Sequence, residues 1–249
     1  MSIRKQLKKL EYRSRALQAK LGETVTAPLR NRSAADLGIV RPLPEPEPLA
    51  MTLTDALRSR HSEQQFAERT ISDQQLVNIL WALNGVNRKD GKRTTPSPCG
   101  WNGILVYVVK SNGAWLWTPE KGALTYVKGG DLRSSVVPLN PLVARAPVHL
   151  VYVADLSSTR LKAFESAGEF LTLFRSGSSK RLGAWANNAV RSTVMIDVGA
   201  KVQTCYLACA AMGLASLCWY TPDHQKTAEA LSLGPRQVVI ASQAVGHPF

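Results

Sequence analysis

Asn112-Gly113 constrains this fold more than any other pair of residues in the chain. It follows the apolar, β-branched run Ile104–Val109 and precedes Ala114-Trp115-Leu116-Trp117. Two residues that tolerate positive φ between such runs signal a two-residue hairpin. The flanking strands are therefore antiparallel neighbours, with no room for a crossover helix. Lys121-Gly122 marks another turn before Leu124-Thr125-Tyr126-Val127, which extends the hairpin into a local meander.

The remaining segments alternate between the two periods. Val148–Ala154, entered after Pro147, reads as a largely buried strand. Ala215–Trp219 and Val238–Val245 read as two more. A helix is expected with Thr54 as its N-cap, ending at Arg58–Ser62. Ser72-Asp73-Gln74-Gln75 is a capping box, and Leu76, Ile79, Leu80 and Leu83 follow at helical spacing until Gly85. From Val194 to Met212, the positions Val198, Val202, Cys205, Ala208, Cys209 and Met212 form one helical stripe. Glu165–Asn188 reads as helix broken near Gly177, and Pro222–Leu233 as a short helix. This mixture of meander and helices places the chain in the α+β class.

With 249 residues, 45% of them hydrophobic, the chain is long enough for one domain and an appendage. We place the division at residues 1–49, an arm and linker, and 50–249, the domain. The apolar runs Leu150–Ala154 and Leu214–Trp219 are strand-sized, so no membrane span is expected, and no signal peptide is visible. The cytoplasm is the expected compartment. Cys99, Cys205, Cys209 and Cys218 form no C-x-x-C pair and have no nearby His or acidic partner, so free packing thiols are expected rather than a metal site.

Half of the net charge of +13 lies at one end. Residues 1–32 hold nine Lys and Arg against Glu11 and Glu23, which leaves +6 for the other 217 residues. Within that arm Ile3, Leu7, Leu10, Leu17 and Leu21 step by fours and threes, with Ser14 in the gap. This pattern suits an amphipathic arm lying on its own body or on a sister subunit, and also a basic segment touching nucleic acid, another polyanion or a membrane surface. Prolines at 42, 44, 46 and 48 then favour an extended strap.

The residues hardest to explain as packing are Arg60-His61-Ser62, with Gln64 two positions on, and Pro96-Ser97-Pro98-Cys99-Gly100. A guanidinium, an imidazole and a hydroxyl in succession make a compact donor set for an anion such as a phosphate, and they equally suit a solvated helix end. Arg60, His61, Ser62 and Phe66 fit the opening signature of the nitroreductase-like flavoproteins. Leu80–Arg88, Asp90–Ser97, Asp197–Leu214 and Val245–Pro248 continue the likeness. Residues 50–249 resemble that family, and most closely its SagB-type, thiazoline-oxidase-like dehydrogenase branch.

The resemblance implies a mostly antiparallel sheet flanked by helices, a homodimer, FMN as cofactor and NAD(P)H as a candidate donor. It places Arg60, His61, Ser62 and Gln64 at the phosphate and Pro96, Ser97, Pro98 and Gly100 at the flavin, commonly from the partner subunit. Trp219, Tyr220 and Thr221 would lie along the ring. It singles out no catalytic acid or base. Gln64 stands where the family carries Arg or Lys, and the chain stops at Phe249 where many relatives continue into a basic tail. These departures leave two readings: hydride transfer to nitro or quinone compounds or from a metabolite or peptide, and a binding protein on the same fold using its basic arm.

Overall fold

The computed structural model describes residues 39–137, 141–157, 179–220 and 224–249. The basic arm, the expected helix over 165–178 and Thr221 lie outside the described residues. The strands, in chain order, are β1 (Val40–Pro42), β2 (Ile104–Lys110), β3 (Gly113–Thr118), β4 (Ala123–Gly129), β5 (Val148–Asp155), β6 (Ala215–Trp219) and β7 (Gln237–Gly246). They form one seven-stranded sheet in the order β1-β4-β3-β2-β5-β7-β6, antiparallel at every step.

The expected hairpin joins β2 to β3, shifted by one residue. Lys110 pairs with Gly113, so Ser111-Asn112 is the turn, and the positive φ of 144° falls on Gly113. A Cβ there would stand 2.5 Å from the Lys128 carbonyl oxygen on β4, which is why glycine sits at this point.

The described helices are α1 (Leu53–Ser59), α2 (Asp73–Asn84), α3 (Arg133–Val136), α4 (Pro141–Ala144), α5 (Ser179–Ala211) and α6 (His224–Ala230). Thr52, not Thr54, caps α1: its hydroxyl accepts from the Asp55 N–H at 3.2 Å, because Asp55 then falls in the first turn. The capping box of α2 forms as expected, Ser72 and Gln75 satisfying each other's backbone N–H groups. α5 runs unbroken from Ser179 through Asn188 to Ala211, where two separate helices were expected.

The sheet is covered on both faces. On one, Leu76, Ile79 and Leu80 of α2 and Val194, Val198, Cys205 and Cys209 of α5 bury Val106, Val108, Leu150 and Tyr152. On the other, Val136, Val143 and Leu231 bury Tyr107, Val109, Val151 and Val153. β5 is consequently buried at every position, which accounts for its largely apolar sequence, interrupted by His149 and ended by Asp155. Val190–Ala211 is long and apolar enough to cross a membrane by length and composition. Here the stripe of that segment is the core's own.

The proline strap is fastened to the domain. Val40–Pro42 pairs with β4 as an edge strand, where the missing N–H of Pro42 costs no ladder bond. Beyond it the Glu47 N–H donates to Asn78 at 2.8 Å, and Gln74 donates to the Glu45 carbonyl at 2.9 Å.

Candidate active site

α1 ends by delivering Arg60, whose N–H closes the helix on the Ala56 carbonyl at 3.0 Å. The chain then turns along β6, where the Glu63 N–H donates to Ser216 O at 3.0 Å. Phe66 is buried and bridges to Pro248. The intervening residues are therefore held at both ends while most of their side chains stay exposed.

Tyr206 of α5 organises this edge. Its hydroxyl accepts from the Cys218 N–H at 2.7 Å, which leaves its proton for Ser62 Oγ at 3.2 Å. The Arg60 guanidinium lies 5.4 Å from the centre of the same ring, within cation–π range. Among the described residues Arg60 makes no ion pair. His61 is exposed, with Nδ1 2.9 Å from the Ser59 carbonyl oxygen, so Nδ1 carries the proton. Gln64 is exposed, and its backbone N–H donates to the Glu63 carboxylate at 2.8 Å.

The second group of residues is held elsewhere on α5. Ser97 Oγ donates to the buried Asp197, which is ion-paired with the buried Lys201. Lys201 also donates to Thr95 Oγ1 at 3.3 Å, and that hydroxyl donates to the Leu83 carbonyl at 2.8 Å. Pro96 is exposed, Ser97, Pro98 and Gly100 are half-buried, and Pro98–Gly100 forms a 3-10 turn. Gly100 has φ 62°, a left-handed conformation that favours glycine. Nine helical positions separate Asp197 from Tyr206, about 13 Å along the axis. One chain brings Arg60, Ser62 and Cys218 together and keeps Ser97 apart from them.

The β6 terminus divides its two aromatics. Trp219 turns inward, edge-on to the buried His149 with ring centres 5.8 Å apart, and its indole N–H is buried without a partner. Tyr220 is 69% exposed, its hydroxyl 2.7 Å from His224 Nε2. Burial, with Cys205 nearby, pushes the Cys218 thiol up to about 12, and burial raises Cys205 as well. Both remain protonated thiols, poor nucleophiles and poor metal ligands. Among the described residues no group of three His, Cys, Asp or Glu side chains is placed to hold a metal.

Sequence reading missed Tyr206 and the Asp197–Lys201 pair as parts of this site. The pair did leave a signal, since an acid and a base four apart on an otherwise apolar stripe must be buried together. Tyr206 left none.

Residues 57–247 match the model of the Nitroreductase family. The chain belongs to that family. Its fold is similar to a candidate nitroreductase from Ralstonia eutropha JMP134, with a TM-score of 0.69 and 29% identity, covering 84% of this chain and 90% of that one. A second similar structure, from Anabaena variabilis ATCC 29413, has a TM-score of 0.59 and 15% identity, over 79% of this chain and 38% of that one. A nitroreductase family protein from Streptococcus pneumoniae TIGR4 has a TM-score of 0.53 and 17% identity, over 80% and 91%. No curated protein sequence matches.

Nitroreductase family members generally bind a flavin, usually FMN, and use NAD(P)H. The donor set at this edge fits a flavin phosphate in kind: an always-charged guanidinium with no carboxylate partner among the described residues, a hydroxyl oriented by Tyr206, and the exposed amide of Gln64.

Proposed function

We propose that this Nitroreductase family protein is an FMN-dependent oxidoreductase of the SagB-type, thiazoline-oxidase-like branch, acting as a homodimer. One observation carries the reading: Tyr206 gathers Arg60 and Ser62 at an exposed edge while Arg60 has no carboxylate partner among the described residues. Bound FMN supplies two-electron hydride chemistry between a donor such as NAD(P)H and an acceptor.

Arg60 would offset the phosphate charge, Ser62 and Gln64 would donate to its oxygens, and His61 would flank them. The Pro96–Gly100 backbone would meet the flavin across a subunit boundary. Its separation from Arg60 along α5 supports that arrangement, because a second copy is what would return it to the phosphate site. Trp219, Tyr220 and Thr221 would border the ring, with exposed Tyr220, held to His224, at the entrance. The reaction is a nitro or quinone reduction, or the dehydrogenation of a small metabolite or peptide.

A visible spectrum of the purified protein, with mass spectrometry of the released ligand, tests the cofactor. Flavin absorbance and one FMN per subunit are expected. A protein that stays colourless after incubation with excess FMN overturns the proposal. Light scattering tests the assembly, and a monomer that holds FMN tightly contradicts the shared site.

A further inference from the structure

A second concave site shares no residue with the edge around Arg60. It lies between the segment Glu68–Ile71, the β2–β3 turn at Lys110-Ser111, and the approach to β5 at Arg145, Pro147 and Val148, and encloses about 340 Å³. That volume is in the range of small-molecule pockets. Four cations line it, Arg69, Lys110, Arg133 and Arg145, against one carboxylate, Glu68.

Arg133 is the exception among the four. It binds Asp131 through two nitrogens, Nε at 2.9 Å and Nη2 at 2.6 Å, and its third nitrogen reaches the carbonyls of Arg145 and Ala146 at 3.5 and 3.4 Å. Its charge is neutralised, and its work is to hold the turn that carries Arg145. Arg69, Lys110 and Arg145 make no ion pair among the described residues. Three cations without an ion pair among the described residues thus line one pocket.

Such a cluster favours an anion, because like charges repel and Lys110 is half-buried. Burial, with Arg41 nearby, already holds Lys110 below the usual lysine range. Thr70 and Ser111 add hydroxyl donors, and Ile71, Pro147 and Val148 give the pocket an apolar wall. We propose that this pocket binds a small anion bearing a phosphate monoester group. Two guanidinium forks suit tetrahedral oxyanions, and the excess of two positive charges over Glu68 matches the charge of roughly −2 on a phosphate monoester. The shared chemistry is inorganic phosphate or the phosphate ester of a small organic molecule, and the apolar wall gives the second an additional contact.

Isothermal titration of the full-length protein with orthophosphate, AMP and nitrate tests the assignment. Orthophosphate should bind at least tenfold more tightly than nitrate, and Lys110→Gln and Arg145→Gln should each weaken it about tenfold. Tighter binding of AMP than of orthophosphate identifies an organic phosphate ester; equal or weaker binding identifies the inorganic ion, and either supports the pocket. Arg60→Gln should leave orthophosphate affinity unchanged, which separates this site from the proposed flavin site. Arg69 and Arg145 are exposed, so the double variant Arg69→Gln/Arg145→Gln serves if Lys110→Gln does not fold. No orthophosphate or AMP binding by the wild type, binding undiminished in the double variant, or binding lost in Arg60→Gln overturns the proposal.

Discussion

Ser97 donates its hydroxyl proton to Asp197, a fully buried carboxylate that is ion-paired one helical turn further on with Lys201. The Ser97 oxygen also accepts from the Asn102 N–H at 2.9 Å. The hydroxyl is therefore occupied inside the chain, and what the Pro96–Gly100 segment presents outward is chiefly backbone. Its position depends on a charge pair in the core of α5.

Removing half of that pair should be costly. Asp197→Ala leaves the Lys201 ammonium buried and unpaired, and a loss of about 3–5 kcal/mol is expected in urea unfolding. Asp197→Leu combined with Lys201→Met should recover most of that stability while still lacking the anchor for Ser97. A loss below about 1 kcal/mol for Asp197→Ala would mean that Lys201 finds another partner.

Tyr206→Phe removes one oxygen and two hydrogen bonds, those to Cys218 N–H and Ser62. The part-buried N–H left behind should lower stability by about 1–3 kcal/mol, and FMN affinity should fall because Ser62 is no longer held. Chemical denaturation and flavin titration read the two effects separately. Unchanged flavin affinity would show that Ser62 needs no orienting partner.

Gln64→Arg should strengthen FMN binding by close to tenfold, since a charge-assisted bond contributes roughly 1.5–3 kcal/mol against about 1 for a neutral one. Riboflavin, which lacks the phosphate, should gain nothing. Glu63 stands beside this position and already accepts from the Gln64 and Gln65 N–H groups, so the gain should grow in a Glu63→Gln background. Equal gains for both ligands would place Gln64 away from the phosphate.

His149 makes stability sensitive to acid. Neither ring nitrogen has a hydrogen-bond partner within range among the described residues; burial pushes the group down to about 4 from 6.5, outweighing the Ala144 and Ala146 backbone groups, which favour the charged form. Between those values the unfolded chain binds the proton and the folded chain does not. The contribution is thus complete above about pH 6.5 and is lost as pH falls towards 4, a change of about 3 kcal/mol. Stability measured against pH should show this limb in the wild type and lack it in His149→Phe; parallel curves would refute the assignment.

By itself the sequence determined the features that close within a few residues. The β2–β3 hairpin, read one residue late at Asn112-Gly113, the Ser72–Gln75 capping box and the buried stripe from Val198 to Cys209 were legible because each is set by spacing and local hydrogen bonding. Arg60-His61-Ser62 stands out as a contiguous set of donors, and its role at a phosphate is a proposal. Tertiary structure alone decided that Ser62 meets Tyr206 from 144 positions away, that Ser97 meets Asp197 from 100, and that Trp219 turns in while Tyr220 turns out. It also turned the proline strap into an edge strand on β4. Those choices depend on which faces the whole sheet and its helices must bury, and no local pattern carries that information.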